Sequence, residues 1–346
     1  MAADFDRFAA GEGGGRLQPE TWYVGGGTPS VLGAEGLAYL AQTFSRRFDV
    51  RALEEWTVEL NPASATRGVL ETLRRSGATR LSFGVQSFDD GVLRRAGRRH
   101  DAQTAREAVR EAARLGFRDA GIDLIAGLPG DGAATWRRTL EETLRLGLKH
   151  VSVYALSVEP GTPLAEERER GAWEPPDDGE MLERLALAEE LLGGAGFARY
   201  EISNYAQPGF ECRHNRAVWR GEDYLGLGPS AASRAGLRRW TRSRGAEQYV
   251  AALEAGREPP CSEDETLSAR ADAVERAIFA LRLAEGLDAA ALQRRFPAQA
   301  ELFKEWDATL ALEAERGLAE KTPKGAWRLT ARGREVCDAI LGDLPM

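Results

Sequence analysis

The chain has few cysteines, no long apolar run and no excess of basic residues. Its three cysteines, Cys212, Cys261 and Cys337, are too few and too scattered for a disulfide framework or a standard zinc site. No stretch approaches the roughly 18 consecutive apolar residues that a membrane-spanning helix needs. The formal net charge of −8 argues against general affinity for nucleic acid or anionic lipid.

The first residues have no basic region followed by an apolar stretch, so we expect no secretory signal and a cytoplasmic location. With 346 residues, of which 43% are hydrophobic, the chain can bury a large core and an additional domain. Residues 1–20 are predicted to form an irregular segment with a mobile, glycine-rich stretch at residues 11–15. That stretch is not a phosphate loop, because no strand precedes it and no Lys-Ser/Thr follows it.

From Trp22 onward, strand-like and helix-like stretches alternate. The predicted strands are Trp22–Val24, Trp56–Leu60, Arg80–Val85, Ala120–Ile125, His150–Ala155 and Ala198–Ile202. Predicted amphipathic helices between them carry apolar residues three and four apart, as at Leu37, Leu40, Ala41 and Phe44, at Ala105, Ala108, Val109 and Ala112, and along Met181–Leu192. Repeated strand–helix units predict an α/β fold with a parallel sheet that is either doubly wound or barrel-like.

A second region is predicted to begin after the linker-like sequence at residues 257–260. Helices at Ala271–Leu283, Ala289–Phe296 and Ala300–Glu315, then a hairpin and a last helix capped by Thr330, give the pattern of a winged-helix module. Its basic residues are interspersed with acidic ones, so a packing or ligand-covering domain is favoured over a DNA-reading one. The predicted domains are therefore an irregular segment at 1–20, a barrel at 21–257 and a helical domain at 258–346.

The run Trp22-Tyr23-Val24 leads into Gly25-Gly26-Gly27-Thr28-Pro29, which predicts a strand that delivers bare backbone to a ligand. Glycine lets a ligand approach the main chain closely, and proline stops the strand from continuing. Because glycine clusters also mark ordinary turns, this signal gains weight only from the polar residues that follow it.

Four polar residues lie at or near the ends of later predicted strands, where function gathers in a barrel of parallel strands. Glu59 suits both hydroxyls of a ribose, and Gln86 offers a donor and an acceptor. Arg98 suits a carboxylate, and Asp123, flanked by apolar residues, is expected to face a polar barrel interior. The structural alternatives are a salt-bridged or surface Glu59, a solvated Arg98 and an Asp123 bonded to neighbouring backbone.

The ordered set GGGTPS, ELNP, GVQSF, GRRH, DLIAGLP and SVEPGT, over roughly residues 20–165, resembles the radical-SAM family and its coproporphyrinogen-oxidase-like branch. The resemblance implies a partial (β/α) TIM-like barrel. It also implies that Gly25, Gly26, Gly27 and Thr28 contact the methionyl part of S-adenosylmethionine. Glu59, Gln86, Arg98 and Asp123 are then expected to line the nucleoside and carboxylate side of that ligand.

The later segments YEISNYA, CRHNRAVW and YLGLGPSA resemble the HemW-type heme chaperones, whose HNxxYW motif is associated with heme binding. By this resemblance His214 or Cys212 is expected to ligate heme iron and Trp219 to stack on the porphyrin. In an extended segment Cys212 and His214 would face the same side. Alternatively, the segment is a structural crossover buried against the barrel. Val218 and Ala232 depart from the Tyr and His of the family pattern.

The family also places a cluster-binding CxxxCxxC triplet and a first barrel strand ahead of GGGTPS, and these 346 residues contain no such triplet. A [4Fe–4S] cluster is therefore expected only if an upstream segment exists. Either the written start lies downstream of the true one, which we favour, or the protein is a naturally cluster-less form. The first functional hypothesis is a heme chaperone whose partners are heme and heme-acceptor proteins. The alternatives are an oxygen-independent coproporphyrinogen III oxidase-like oxidoreductase and an inactive remnant.

Overall fold

The computed structural model describes residues 1–11 and 17–345. These fall into two compact units: Pro19–Glu211, here called the sheet unit, and Met1–Gln18 together with Cys212–Met346, here called the terminal unit. The division after Glu211 differs from the boundary predicted at 257/258. Apart from Gly11, the predicted mobile stretch lies outside the described residues.

The N-terminal segment begins with a helix, α1 (Ala2–Ala10), so the prediction of an irregular segment is wrong there. The helix forms because residues distant in sequence contact it. The buried Asp4 carboxylate accepts hydrogen bonds from Arg242 Nη2 at 3.0 Å and from Tyr249 Oη at 2.9 Å. Phe5 is buried as well. A nine-residue helix is marginal by itself, and these distant partners stabilise it.

The sheet unit contains one seven-stranded sheet within the described residues. Its strands are β1 (Thr21–Val24), β2 (Glu55–Leu60), β3 (Arg80–Gln86), β4 (Asp119–Ala126), β5 (His150–Ala155), β6 (Ala198–Arg199) and β7 (Asn204–Ala206). The spatial order is β1-β2-β3-β4-β5-β7-β6, in which β1 to β5 are parallel and β7 pairs antiparallel with both of its neighbours. Sequential parallel order with right-handed crossovers puts the connecting helices on one face, as in a partial barrel rather than a doubly wound sheet.

Helices connect the parallel strands and cover the sheet. They are α2 (Gly33–Ser45), α3 (Arg67–Ser76), α4 (Asp90–Arg95), α5 (Ala102–Arg114), α6 (Ala133–Arg145), α7 (Pro163–Glu169) and α8 (Asp178–Gly194). Short side chains begin several of them: Thr66, Asp89 and Asp101 each accept a hydrogen bond from a first-turn N–H. The predicted stripe on α5 is confirmed by burial of all four residues, whereas on α2 Leu40 stays partly exposed.

The two faces of the parallel sheet differ in chemistry. One face is apolar and nearly fully buried: Trp56, Val58, Leu60, Leu81, Phe83, Val85, Ile122, Leu124, Val151 and Val153. The alternate residues are polar or small, among them Glu59, Ser82, Asp123 and Ser152. Parallel sheets buried on both faces have continuous apolar strands, so this alternation indicates a polar inner face. The apolar face is therefore the one that the helices cover, and the polar face is the inner one.

The end of the sheet departs from prediction. The strand predicted at Ala198–Ile202 shortens to β6, and β7 was not predicted. Arg199 explains the break, because its Nε donates to Ile202 O at 2.9 Å and folds the chain into a tight reversal. β7 then pairs antiparallel with β5.

The terminal unit continues with α9 (Arg213–Trp219), β8 (Ala232–Ala235), β9 (Arg238–Arg242), α10 (Ala246–Glu254) and β10 (Cys261–Thr266). β10 and β8 pair antiparallel with the two edges of β9. This pairing explains the missing boundary at 257/258, since residues on both sides of the predicted linker build one sheet.

The last part of the terminal unit confirms the predicted helix–helix–helix–hairpin order. It comprises α11 (Ala269–Arg282), α12 (Ala289–Arg295), α13 (Ala300–Glu315), β11 (Ala319–Lys321), β12 (Trp327–Leu329), α14 (Ala331–Glu335) and α15 (Cys337–Gly342). Thr330 caps α14 as predicted, accepting from Gly333 N at 3.1 Å. Among the described helices, none is long and apolar enough to cross a membrane.

Candidate functional site

A polar cavity of about 210 Å³ opens near the carboxyl ends of β1 to β4 in the sheet unit. Its lining consists of Gly27, Thr28, Glu59, Leu60, Asn61, Gly84, Gln86, Arg98 and Asp123. Six of the eight residues predicted for S-adenosylmethionine are thus brought together. The other two, Gly25 and Gly26, lie directly before Gly27, and Gly26 contacts Glu59.

The glycine segment after β1 holds the Glu59 carboxylate. Gly26 N donates to Glu59 Oε2 at 3.1 Å, and Tyr23 Oη donates to Glu59 Oε1 at 2.7 Å. A Cβ at Gly25 would lie 2.6 Å from Glu59 Cδ and 2.6 Å from Tyr23 Cε1, so only glycine permits this approach. Each carboxylate oxygen keeps a further lone pair, which leaves Glu59 able to accept from a ligand.

Gln86 lies at the end of β3 in a strained conformation. Its φ is +70°, and Ser87 N donates to Val85 O at 2.9 Å, so Gln86 is the central residue of a three-residue turn of the rare γ type. The β3–β4 register shifts at the same place, between Gly84 and Gln86. Among the described residues, Gln86 Oε1 is buried with no hydrogen-bond partner. Strain and an unpaired buried acceptor are both marks of a ligand-binding position.

Arg98 reaches the cavity from the end of α4. Gly97, with φ +67°, ends that helix, while Arg98 N donates to Leu93 O in a Schellman motif. Arg98 Nη2 donates to Gly84 O at 3.0 Å, and its buried Nε has no partner in the described part of the chain. Burial lowers the pKa of Arg98, and the charge of Asp123 opposes this shift. The guanidinium is thus partly desolvated and has donors left for a ligand.

Asp123 lies on the inner face of β4, between β3 and β5. Ser82 Oγ donates to Asp123 Oδ1 at 3.1 Å. Burial raises the pKa of Asp123 to about 6, although hydrogen bonds from Ser152 and Ser82 act in the opposite direction. A carboxyl group with this pKa is mostly ionised at neutral pH and is costly to keep so until a ligand pairs with it.

These contacts make a site for a small, strongly polar ligand. Glu59, Asp123 and the Gln86 amide oxygen accept hydrogen bonds, whereas Arg98 and the Gln86 amide nitrogen donate them. Hydroxyl, amino and carboxylate groups on one molecule would satisfy this set. Among the described residues, no group of three or more His, Cys, Asp or Glu side chains is placed to hold a metal ion. All three cysteines belong to the terminal unit.

The predicted heme segment lies in the terminal unit and is helical, so the premise of an extended segment is wrong. Cys212 is the N-cap of α9 and only 1% exposed, and His214 lies within the first turn and is partly exposed. Residues two apart on a helix point in different directions, so Cys212 and His214 do not share a side. The Trp219 ring packs against Phe279, with ring centroids 5.5 Å apart, and Arg282 lies 5.5 Å from its centroid.

Tyr23, Ser82 and Ser152, which bond to the carboxylates of Glu59 and Asp123, were not predicted from the sequence. The strand pattern could have identified them, because each lies on the same face of the sheet as a predicted ligand-binding residue on the adjacent strand. Tyr23 pairs in register with Thr57, two residues before Glu59, and Ser152 pairs with Asp123. The register that shows this shared face was not available from the sequence.

Comparison with known proteins agrees with the fold and the cavity. The family model of the radical SAM superfamily matches residues 10–143, which contain the glycine segment and every residue that lines the cavity. A sequential parallel sheet with a polar inner face and a ligand cavity at its carboxyl edge is consistent with this class of protein. The coproporphyrinogen III oxidase HemN of Escherichia coli shares the fold, with a TM-score of 0.84 at 23% identity, over 99% of this chain and 80% of that one.

Two relatives narrow the class. The chain is 37% identical over 324 residues to the heme chaperone HemW of Mycobacterium tuberculosis strain H37Rv, covering 94% of this chain and 80% of that protein. It is 30% identical over 336 residues to the heme chaperone HemW of Bacillus subtilis, covering 95% and 87%. The chain therefore belongs to the HemW family of the radical SAM superfamily.

Proposed function

We propose that this protein binds heme and passes it to acceptor proteins. The observation that carries the proposal is the extent of the similarity to heme chaperones, which covers 94% of the chain at 37% identity. It therefore extends far beyond residues 10–143, the part matched by the superfamily model. Sequence similarity confined to the barrel would not distinguish a heme chaperone from an oxidase.

We further propose that His214, rather than Cys212, ligates the heme iron. A neutral imidazole and a thiolate are both heme ligands, so chemistry alone leaves the choice open. Burial supports His214, because the Cys212 thiol is nearly inaccessible whereas the imidazole is partly exposed. A porphyrin is too large to reach a thiol at that depth without local unfolding.

Trp219 is proposed to support this ligand. Its ring already contacts Phe279 and Arg282 of α11, which favours a role in fixing α9, and with it His214, in place. Stacking of Trp219 on the porphyrin remains the earlier prediction, and it requires that heme displace one of these neighbours.

The cavity of the sheet unit fits S-adenosylmethionine, and we propose it as that ligand's site. Glu59 and Gln86 would hold the ribose, Arg98 the carboxylate, and Gly25 to Thr28 the methionyl part. The unpaired Gln86 Oε1 and Arg98 Nε support a ligand of this polarity. When bound, S-adenosylmethionine supplies an activated sulfonium centre.

A [4Fe–4S] cluster does not fit the residues described. Three thiolates would have to converge on it, and no three His, Cys, Asp or Glu side chains in the described part of the chain are placed to hold a metal ion. The proposed roles of the described residues therefore involve no cluster.

The test is a heme titration followed by its Soret absorption. We expect the unaltered protein to bind heme and His214→Ala to bind it at least about tenfold more weakly. Cys212→Ala and Cys337→Ala, which each remove one buried thiol, are the matched controls and should keep the Soret maximum. Transfer is then followed to apomyoglobin as a probe acceptor. Undiminished binding by His214→Ala would reject His214 as ligand, and loss of binding in Cys212→Ala alone would favour the thiolate.

The fold likeness to HemN supports one second candidate, an oxidase of coproporphyrinogen III. The two functions differ in their readout, because a chaperone binds heme stoichiometrically and an oxidase decarboxylates propionate side chains. Incubation of the protein with coproporphyrinogen III and S-adenosylmethionine under reducing conditions is expected to give no product. Product formation would favour the oxidase, and binding of neither heme nor S-adenosylmethionine would favour an inactive remnant.

A further inference from the structure

We infer that His100 is a positioning residue for the cavity of the sheet unit, holding the strained turn at Gln86 and the Arg98 loop in the geometry that binds ligand. This inference rests on the proposed role of the cavity as the S-adenosylmethionine site. His100 itself does not line the cavity. It acts through the backbone carbonyl of Val85, the residue before Gln86.

The imidazole is only 4% exposed, and its Nε2 lies 3.0 Å from Val85 O. Val85 O is also the acceptor of the Ser87 N–H bond that closes the turn around Gln86. The Val85 carbonyl oxygen thus accepts two hydrogen bonds, one that closes the strained turn and one from the buried imidazole. Because the register shift at this point removes Val85 from regular pairing, the imidazole fixes the direction of that carbonyl.

The same loop makes a second, parallel contact. Arg98 Nη2 donates to Gly84 O at 3.0 Å, one residue before the carbonyl that His100 contacts. Two side chains of one loop therefore bond to two consecutive carbonyls of one strand. Asp101 follows at once as the N-cap of α5, accepting from Thr104 N at 2.8 Å, which fixes the far end of the loop. These bonds hold the end of β3 and the loop that carries Arg98 and His100 together at one corner of the cavity.

The chemistry of the ring fits this role. A carbonyl oxygen only accepts, so Nε2 must carry the proton. Among the described residues, the buried Nδ1 has no partner, so a second proton there would be an unpaired buried donor. Burial and the nearby Arg98 charge lower the pKa of His100. The ring is thus held as the neutral Nε2–H tautomer, which makes it a fixed donor and not a proton carrier.

The test compares three variants by calorimetric titration with S-adenosylmethionine and by thermal melting. His100→Phe keeps an aromatic ring and removes the donor, whereas His100→Gln returns an N–H near the position of Nε2. Thr79→Val is the matched control. It removes side-chain bonds to backbone at the opposite end of the same sheet, where Thr79 Oγ1 accepts from Trp56 N at 2.8 Å and donates to Trp56 O at 3.4 Å.

We expect His100→Phe to weaken S-adenosylmethionine binding about tenfold, His100→Gln to recover most of that loss, and Thr79→Val to bind normally at a comparable melting temperature. Binding by His100→Phe that equals that of the unaltered protein would overturn the inference. So would a loss no greater than in Thr79→Val, or a failure of His100→Gln to recover affinity beyond His100→Phe.

A second readout separates this inference from the proposed function. The chain has three histidines, so ¹⁵N labelling of histidine resolves His100 in an NMR spectrum without ligand. We expect the shifts of a neutral Nε2–H tautomer and, in His100→Phe, faster amide exchange at Ser87. If the unaltered protein fails to bind S-adenosylmethionine, the proposed ligand is wrong, and these two signals alone decide the role of His100. An Nδ1–H tautomer or unchanged Ser87 exchange would reject it.

Discussion

Tyr23 Oη donates a 2.7 Å hydrogen bond to Glu59 Oε1, from the end of one parallel strand to the inner face of the next. Together with the Gly26 N–H on Oε2, it orients a carboxylate that the sequence identifies only as a candidate. The two donors hold Glu59 flat against the glycine segment. Its remaining lone pairs stay available to accept from a ligand in the cavity.

Removing that phenol should therefore weaken ligand binding without unfolding the chain. For Tyr23→Phe we expect about three- to tenfold weaker binding of S-adenosylmethionine, because one donor to Glu59 is lost while the ring remains. Calorimetric titration measures the change. Tyr39→Phe, on a side chain that is 73% exposed, is the matched control and should bind normally. Equal affinities for both variants would show that Tyr23 does not orient the carboxylate.

Gly25→Ala tests the close approach of backbone to Glu59. The new Cβ would lie 2.6 Å from Glu59 Cδ, so the carboxylate must move and lose its bond to Gly26 N. We expect loss of measurable S-adenosylmethionine binding and about 1–3 kcal/mol less stability in urea denaturation.

Gly68→Ala is the control for Gly25→Ala, since among the described residues nothing lies within 4 Å of the added Cβ in α3. Helix propensity predicts a gain of up to about 1 kcal/mol there, with binding unchanged. Normal binding by Gly25→Ala would contradict the assigned role of the glycine segment.

Asp123→Asn should raise stability and lower affinity at the same time. The folded-state pKa of Asp123, raised to about 6 by burial, means that the folded protein holds this proton more tightly than the unfolded chain does. Its contribution to the free energy of unfolding therefore falls as pH rises from about 4 to 6, by up to about 3 kcal/mol. The variant should lack this decline and bind S-adenosylmethionine about tenfold more weakly at pH 7.5.

The control for Asp123→Asn is Asp131→Asn. Burial also raises the pKa of Asp131 to about 6, but its carboxylate accepts from Gly127 N at 3.2 Å and does not line the cavity. Like Asp123→Asn, it should remove the fall in the free energy of unfolding that its own carboxyl causes as the pH rises, which denaturant titrations measure. Its binding of S-adenosylmethionine should be unchanged. If both variants bind alike, the raised pKa of Asp123 is structural and not a property of the site.

The terminal unit should depend on a buried ion pair. Arg234, 2% exposed, bonds to Asp272 and Glu275 of α11. Arg234→Met leaves Asp272 buried without this cation, and we expect about 3–5 kcal/mol of destabilisation. Lys304→Met breaks the exposed pair with Glu301 and should cost under about 1 kcal/mol. Urea denaturation checks both, and similar losses would contradict the prediction.

The two acidic residues of the cavity were predictable because strand parity is a local property. Alternation alone put Glu59 opposite Val58 and Leu60, and the structure puts it at the cavity. An acidic residue between isoleucine and leucine likewise marked Asp123 as facing a polar interior. Neither inference needed a partner distant in sequence.

What could not be predicted depends on contacts between distant residues. The γ-turn at Gln86 needs the carbonyl of Val85 to leave the β-ladder, and no propensity rule places a glutamine at a φ of +70°. The same holds for α1, whose Asp4 finds its partner 238 positions away. The boundary at 257/258 was wrong because composition marks loops, whereas the pairing of β9 with β10 decides which unit they join.

The Asp4–Arg242 contact also bears on how the chain is made. Translation delivers α1 before the sheet unit, and it delivers the residues that stabilise α1 only after the whole sheet unit has emerged. At about 5–20 residues per second, roughly 12–48 s separate the synthesis of the two partners. The sheet unit can complete its hydrogen bonds in that interval, whereas α1 has no docking surface yet. α1 is therefore synthesised before the sheet unit but is secured only after the sheet unit has been made.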